Sequence, residues 1–250
     1  MSLAGRAVLV TRRGQDEFVA LLAAAGAIPL VFPCLEIAPP ADRAALDRAA
    51  AEAQQADLLA FVSERALELF LEAAARAGVE LRSIPAAAVG RKTAEALTSR
   101  GFSSVLCPEE YRAEALLSLI EERFAGRLRG LRVFVPRAPE GRPELVLGLE
   151  ARGAIVVAPE TYRLVIPPAA SEEEIALAAR AEIATFLSGR AVQGFLERVG
   201  AERGRAILKG LTVAVIGPVA RARAEELGVR VDVMSSEATA EALVLALSKA

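Results

Sequence analysis

Three residue types step off the ends of apolar runs at matching places in the two halves of the chain. Arg12, Ser63 and Gly90 recur 125, 125 and 127 residues later as Arg137, Ser188 and Gly217. The runs before them are AVLV, LLAFV and AAAV in the first half, and VFV, IATFL and VAVI in the second. An arginine fork grips carboxylate or phosphate, and a helix opened by serine or glycine points backbone N–H groups outward. Such a set suits anions, carboxylates above all. A plainer reading stands beside it. Ser63 and Ser188 are good N-caps, Gly90 and Gly217 fit tight strand-to-helix turns, and Arg12 and Arg137 fit a solvated surface.

The missing residue types narrow the chemistry further. The chain has no histidine, the usual general base and metal ligand near neutral pH. Cys34 and Cys107 stand alone and far apart, which fits a reducing compartment and gives no metal-ligand cluster. There is no GxGxxG for a dinucleotide and no GxSxG elbow. GRKT at 90–93 echoes the end of a phosphate loop but lacks the glycine five residues earlier. Carboxylates such as Glu172, Glu173 and Glu174 read as a solvated helix face. From residues and spacing alone, the expectation is a binder of something anionic, with no metal and no cofactor.

The positioning elements follow from alternation. Each apolar run of four to six residues precedes a longer segment with helical spacing, the pattern of parallel sheets covered on both faces. Strands are expected at 7–10, 28–32, 57–61, 86–89 and 104–106, and helices at 15–25, 41–54, 64–77, 92–100 and 111–123. The series then restarts at 131. ADLLAFVSERALELF at 56–70 answers AEIATFLSGRAVQGF at 181–195, and AEALLSLI at 113–120 answers AEALVLAL at 240–247. This is duplication of a whole unit. Five strands with intervening helices per unit is the count of a flavodoxin-like sheet, whose ligands sit off the carboxyl strand ends.

Length and composition agree. A chain of 250 residues suits two domains, and 54% hydrophobic with 25% charged residues marks a well-cored soluble protein. A net charge of −2 argues against a nucleic-acid partner. The run at 18–32 is too short and too broken by Gly26 and Pro29 to span a membrane, and Asp16 and Glu17 occupy the flank where a signal peptide is positive. A cytoplasmic location is expected. The pairs Pro39-Pro40 and Pro167-Pro168 cannot lie inside helices or central strands, so they mark connections within each copy.

At VLVTR (8–12), DLLAFVSERAL (57–67), AVGRKTAEAL (88–97), the long segment 132–163 and VIGP (215–218), the chain resembles the uroporphyrinogen-III synthase family. The resemblance covers nearly the whole sequence. It implies two flavodoxin-like α/β domains joined by a two-stranded linker, with the substrate in the cleft between them. Domain one would be 1–36 plus 169–250, domain two 41–162, and the linkers 37–40 and 163–168. The implied reaction cyclises hydroxymethylbilane, a linear tetrapyrrole polycarboxylate, with loss of water and inversion of the last pyrrole ring. The implied contacts are Arg12, Ser63, Gly90, Thr93, Arg137, Ser188 and Gly217, and Tyr162 is the implied donor to the departing hydroxide. Tyr162 also reads as a strand residue packed on its sheet. The enzyme is expected to be a monomer without nucleic-acid or membrane partners.

The chain departs from the family where two threonines commonly follow the Gly-Pro, having Val219 and Ala220 instead. Two rival classes stay open: a non-catalytic two-domain protein for an anionic small molecule, and a diverged synthase-like enzyme acting on another tetrapyrrole.

Overall fold

The structure, a computed structural model, describes residues 3–12, 16–141 and 143–249, with the side chains of Arg12 and Asp16 outside that description. The chain opens with β1 (Ala7–Arg12), α1 (Asp16–Ala24) and β2 (Ile28–Ala38). Next come α2 (Arg43–Glu52), β3 (Leu58–Phe61), α3 (Glu64–Arg76) and β4 (Ala86–Ala88). They are followed by α4 (Arg91–Ser99), β5 (Val105–Leu106) and α5 (Ala113–Arg123). The second half supplies β6 (Arg132–Phe134), α6 (Glu144–Ala151), β7 (Ile155–Val157) and β8 (Arg163–Val165). After these run α7 (Glu172–Ala179), β9 (Ile183–Phe186), α8 (Gly189–Val199) and α9 (Ala201–Lys209). The last elements are β10 (Thr212–Val215), α10 (Pro218–Glu226), β11 (Val233–Met234) and α11 (Ala240–Lys249).

The local reasons are visible in β3 and α3. LLAF is buried at all four positions, as a central parallel strand must be. The Ser63 hydroxyl then accepts the Ala66 amide at 3.2 Å, and Ala66, Leu67, Phe70, Ala73 and Ala74 form the inward stripe of α3. Gly78, at φ +70°, lets the chain leave α3 through the left-handed region. Three elements differ from the periodicity, and one of them is β8, a sixth strand in a sheet where five are expected. β2 runs on to Ala38, well past the expected 28–32. α9 has no counterpart in the first copy; Gly200, at φ +88°, separates it from α8.

The chain divides into two units, Met1–Glu36 with Val165–Ala250, and Ile37–Leu164. The first holds a sheet in the order β11-β10-β9-β1-β2-β8, and the second a sheet in the order β5-β4-β3-β6-β7. By the repeat, β9, β10 and β11 correspond to β3, β4 and β5, while β1 and β2 correspond to β6 and β7. Equivalent strands therefore occupy equivalent places, in flavodoxin-like order. Yet the six-stranded sheet takes four strands from the second copy and two from the first, and the five-stranded sheet three from the first and two from the second. The seams are parallel ladders: Val8↔Ile183 to Val10↔Thr185 in one sheet, Leu58↔Val133 and Leu59↔Phe134 in the other.

The seams are stapled alike at their amino ends. The Asp57 carboxylate accepts the Arg132 amide at 2.8 Å, and the Glu182 carboxylate, at the matching place, accepts the Ala7 amide at 3.2 Å. Thr11 and Thr185 add reciprocal buried bonds, each hydroxyl donating to a carbonyl of the opposite strand at 2.8 and 2.7 Å. Helices cover both faces of each sheet. Leu59, Phe61 and Phe134 pack under α2, α3 and α4, and Leu58, Ala60 and Val133 under α5 and α6.

One buried cation organises the first unit beside its chain crossings. Arg198 of α8 is 6% exposed and lies over the Phe32 ring, 4.8 Å from its centroid. It donates to the carbonyls of Pro33 (2.6 Å) and Pro168 (2.9 Å) and to Glu174 (2.9 Å). Glu174 also completes a capping box with Ser171 at the start of α7. Arg198 thus ties β2, the Pro167-Pro168 segment and α7 together. Burial pushes the neighbouring Cys34 thiol far up, with Arg198 only partly opposing the shift.

Arg198→Met should cost about 2–5 kcal/mol, because it leaves the buried Pro33 carbonyl without its donor and Glu174 without its cation. Urea unfolding checks this. A change below about 0.5 kcal/mol would mean that these segments hold themselves.

Candidate active site

The carboxyl edge of the five-stranded sheet carries a cavity of about 450 Å³. Its wall is made of strand ends and helix starts: Val62 and Ser63 after β3, Val89 after β4, Ala138 and Gly141 after β6, and the first residues of α5 and α6. Tyr162 closes one side. A second cavity, of about 330 Å³, is lined by Tyr162 together with residues of α2, α3 and the Pro39-Pro40 segment.

Backbone pairing that outlasts the strands delivers Tyr162. The Val135 amide donates to Val157 (2.8 Å) and the Arg137 amide to Pro159 (3.1 Å), and the Thr161 amide donates back to the Arg137 carbonyl (3.0 Å). Arg137 and Glu160 form an isolated parallel bridge, so 159–162 tracks the segment leaving β6. Thr161 is fully buried, its hydroxyl without a partner. Among the described residues the Tyr162 phenol makes no hydrogen bond, so its proton is free for a ligand.

The sequence-derived residues fall into two sets, each drawn from both copies. Ser63, Gly90, Thr93, Arg137 and Tyr162 belong to the five-stranded unit, and Arg12, Ser188 and Gly217 to the six-stranded one. Ser63 lines the cavity while capping α3; its oxygen accepts Ala66, which leaves its own proton to donate. Ser188 caps α8 in the same way through Ala191, at 3.2 Å. Arg12 ends β1, and its side chain lies outside the described part. Thr93 is 6% exposed in the first turn of α4, and neither it nor Gly90 is in the cavity lining, which reaches the adjacent Val89.

Arg137 stands behind the cavity wall. Its guanidinium donates to the Gly141 carbonyl, and its Nε is buried without a partner. It therefore shapes the 138–141 loop, whose Ala138 and Gly141 form the wall.

The two glycines are not turn residues. Gly90 sits at φ −133° and Gly217 at φ 168°, both extended, and a Cβ at either would meet nothing within 4 Å. The fold does not ask for glycine there. Each leaves a helix N-terminus without a side-chain cap, and Pro218 opens the second of these helices at N1. Val219, beside it, is 76% exposed.

Sequence reasoning missed Tyr111, Arg112, Glu114 and Glu144, which also line the cavity. The usable signal was scarcity: the chain has two tyrosines, and both are here. Glu114 and Glu144 put two carboxylates on a wall otherwise built for anions, so the cavity also suits N–H donors and cationic groups. Among the described residues no group of His, Cys, Asp or Glu could hold a metal, and no helix is long and apolar enough to cross a membrane.

Gly90→Ser and Gly217→Ser should keep the unfolding free energy or raise it by a few tenths of a kcal/mol, since serine caps a helix at least as well as glycine. A loss above about 1 kcal/mol in urea titrations would show that the fold itself needs these glycines.

The comparisons with known proteins point one way. A family model described as uroporphyrinogen-III synthase HemD matches residues 16–245. The uroporphyrinogen-III synthase of Synechococcus elongatus is 32% identical over 257 residues, spanning 99% of this chain and 96% of its own. A solved uroporphyrinogen-III synthetase from Helicobacter pylori shares the fold at TM-score 0.65 and 20% identity, covering 98% of this chain and 100% of that one. A mutant uroporphyrinogen III synthase from Thermus thermophilus does so at TM-score 0.62 and 20% identity, with 98% of each covered. With its family matched across nearly its whole length and its sheets in flavodoxin-like order, the chain belongs to the uroporphyrinogen-III synthase family.

Proposed function

We propose that the chain cyclises hydroxymethylbilane to uroporphyrinogen III at the carboxyl edge of the five-stranded sheet, with Tyr162 as proton donor. The carrying observation is a phenol on the cavity wall that makes no hydrogen bond among the described residues. The reaction is a cyclising dehydration, a hydro-lyase step of porphyrin biosynthesis. The carbon–oxygen bond of the hydroxymethyl group breaks, and the electron pair leaves with oxygen. The Tyr162 proton completes a water molecule, while the pyrrole nitrogen lone pair forms the azafulvenium cation. Ring closure at the substituted carbon of the far terminal pyrrole gives a spiro intermediate. Its rearrangement inverts that ring and releases the proton that restores the phenol.

The linear substrate also closes unaided, to the uninverted isomer. The protein must therefore favour one geometry, and a hundredfold preference needs only roughly 2.7 kcal/mol of barrier difference. Ser63 and the uncapped helix start at Gly90 supply donors for substrate carboxylates, and Arg137 holds the 138–141 loop in shape from behind. Glu114 and Glu144 suit the pyrrole N–H groups and the cation. The proposal extends to Arg12, Ser188 and Gly217, the equivalent edge of the other sheet, as holders of the remaining carboxylates. Thr93 acts through the first turn of α4.

The working form we propose is a cytoplasmic monomer without cofactor, its domains 1–36 with 169–250 and 41–162, joined through 37–40 and 163–168. Two unpaired cysteines support the reducing compartment.

Tyr162→Phe should lower turnover roughly ten- to a thousandfold, the scale of a lost general acid, while the product still formed on the enzyme stays the inverted isomer. Gly90→Ser should raise KM roughly tenfold or more, as a charge-assisted amide bond of about 1.5–3 kcal/mol is lost. Steady-state kinetics with isomer separation checks both. Unchanged turnover in Tyr162→Phe would return that residue to a packing role.

A further inference from the structure

The chain has two tyrosines and no tryptophan, and both tyrosines line one cavity. Tyr162 is the donor in the reading above. Tyr111 is unexplained by it. Six phenylalanines are buried below 2% exposure, yet Tyr111 is 53% exposed at the cavity wall. Among the described residues its ring stacks on no other ring and its hydroxyl bonds to nothing.

The segment that holds this ring is closed twice. The Arg112 amide donates to the Glu110 carbonyl at 2.7 Å, a three-residue turn with Tyr111 at its apex. The Arg112 guanidinium pairs with the Glu110 carboxylate across the same turn. Immediately after it, α5 anchors to the core through Leu116, Leu117 and Ile120. An aromatic face is thus mounted on a braced support and left facing a cavity. Such a ring on a cavity wall offers a ligand an amphipathic aromatic face.

The chemistry says which ligand group. Once hydroxide departs, the substrate carries a planar cationic azafulvenium ring with an electrophilic methylene carbon. A phenol face attracts a cation, and a ring lying over this one also keeps water from it. We propose that Tyr111 covers the azafulvenium ring between hydroxide loss and ring closure, stabilising the cation and shielding its methylene carbon from solvent. The inference rests on the reading of this cavity as the reaction site.

The cation has two fates. Attack by the far pyrrole carbon forms the carbon–carbon bond of the spiro intermediate. Attack by water re-forms the carbon–oxygen bond, returns one proton to the Tyr162 phenolate and regenerates hydroxymethylbilane. Tyr111 sets the partition between them, and water labelled with oxygen-18 reads it directly.

The test uses the full-length protein, Tyr111→Ala and Tyr111→Phe, each turning over hydroxymethylbilane in oxygen-18 water. At partial conversion the unreacted substrate is recovered, and its label per product formed is corrected by a protein-free control. Tyr111→Ala should raise that ratio at least threefold and lower kcat several-fold, with the urea midpoint little changed because the side chain is 53% exposed and outside the buried core. Tyr111→Phe, which keeps the face and loses the hydroxyl, should match the parent protein. A Tyr111→Ala enzyme with the parent's label ratio would overturn the proposal, and so would a Tyr111→Phe enzyme that behaves like Tyr111→Ala. A parent protein that makes no uroporphyrinogen III would instead overturn the functional reading on which it rests.

Discussion

Between β3 and β6 a short parallel ladder joins residues 75 positions apart, pairing Leu58 with Val133 and Leu59 with Phe134. Closing so long a loop costs chain entropy, though the cost grows only slowly with loop length. Burial of Leu58, Leu59, Val133 and Phe134 in cores on both faces offsets it. Everything at the candidate site depends on this seam. Ser63 and Val89 come from the first copy, and Ala138, Gly141 and Tyr162 from the second. Because the ladder is parallel, both sets leave their strands at one edge. The β1–β9 seam does the same for Arg12 and Ser188, with Glu182 in the stapling place that Asp57 holds in the other sheet.

A site built on strand ends is rigid, and rigidity is what this reaction asks for. The chemistry starts from an electron-rich pyrrole that expels hydroxide with little help. Selecting one closure over another is a matter of orientation, an effect able to supply about 7–11 kcal/mol, several times the discrimination needed. A protein without histidine can therefore do this work with a phenol, a serine proton and open helix amides. The mixture of open amides with Glu114 and Glu144 matches a substrate that is anionic at its rim and becomes cationic at its reacting ring.

Much of the fold was legible in alternation. LLAF before Ser63 and the stripe Ala66, Leu67, Phe70, Ala73 on α3 carry their own periodicity, and the duplication displays it twice. The exchange of strands between copies was not in the periodicity, because β3 and β6 are chosen by packing at long range; only the family resemblance implied it. Arg198 gave no signal either. It sits among apolar residues on α8 and reads as a solvated charge until Pro33, Pro168 and Glu174 are seen around it. At the site, the serines were legible as caps and as donors, and the structure has Ser63 capping while its proton stays free. Arg137 was legible as a cation but not as one turned toward its own loop. Tyr111 was overlooked because an exposed ring leaves no mark in the hydrophobic periodicity; it came into view only with the cavity it lines and the turn between Glu110 and Arg112.

The central claim is that this chain controls the geometry of ring closure. The direct measurement is to give the purified protein freshly made hydroxymethylbilane, oxidise the products and separate the uroporphyrin isomers. The account predicts predominantly the inverted isomer III, formed far faster than the unaided reaction and in proportion to protein. Isomer I alone, appearing at the rate seen without protein, would contradict it.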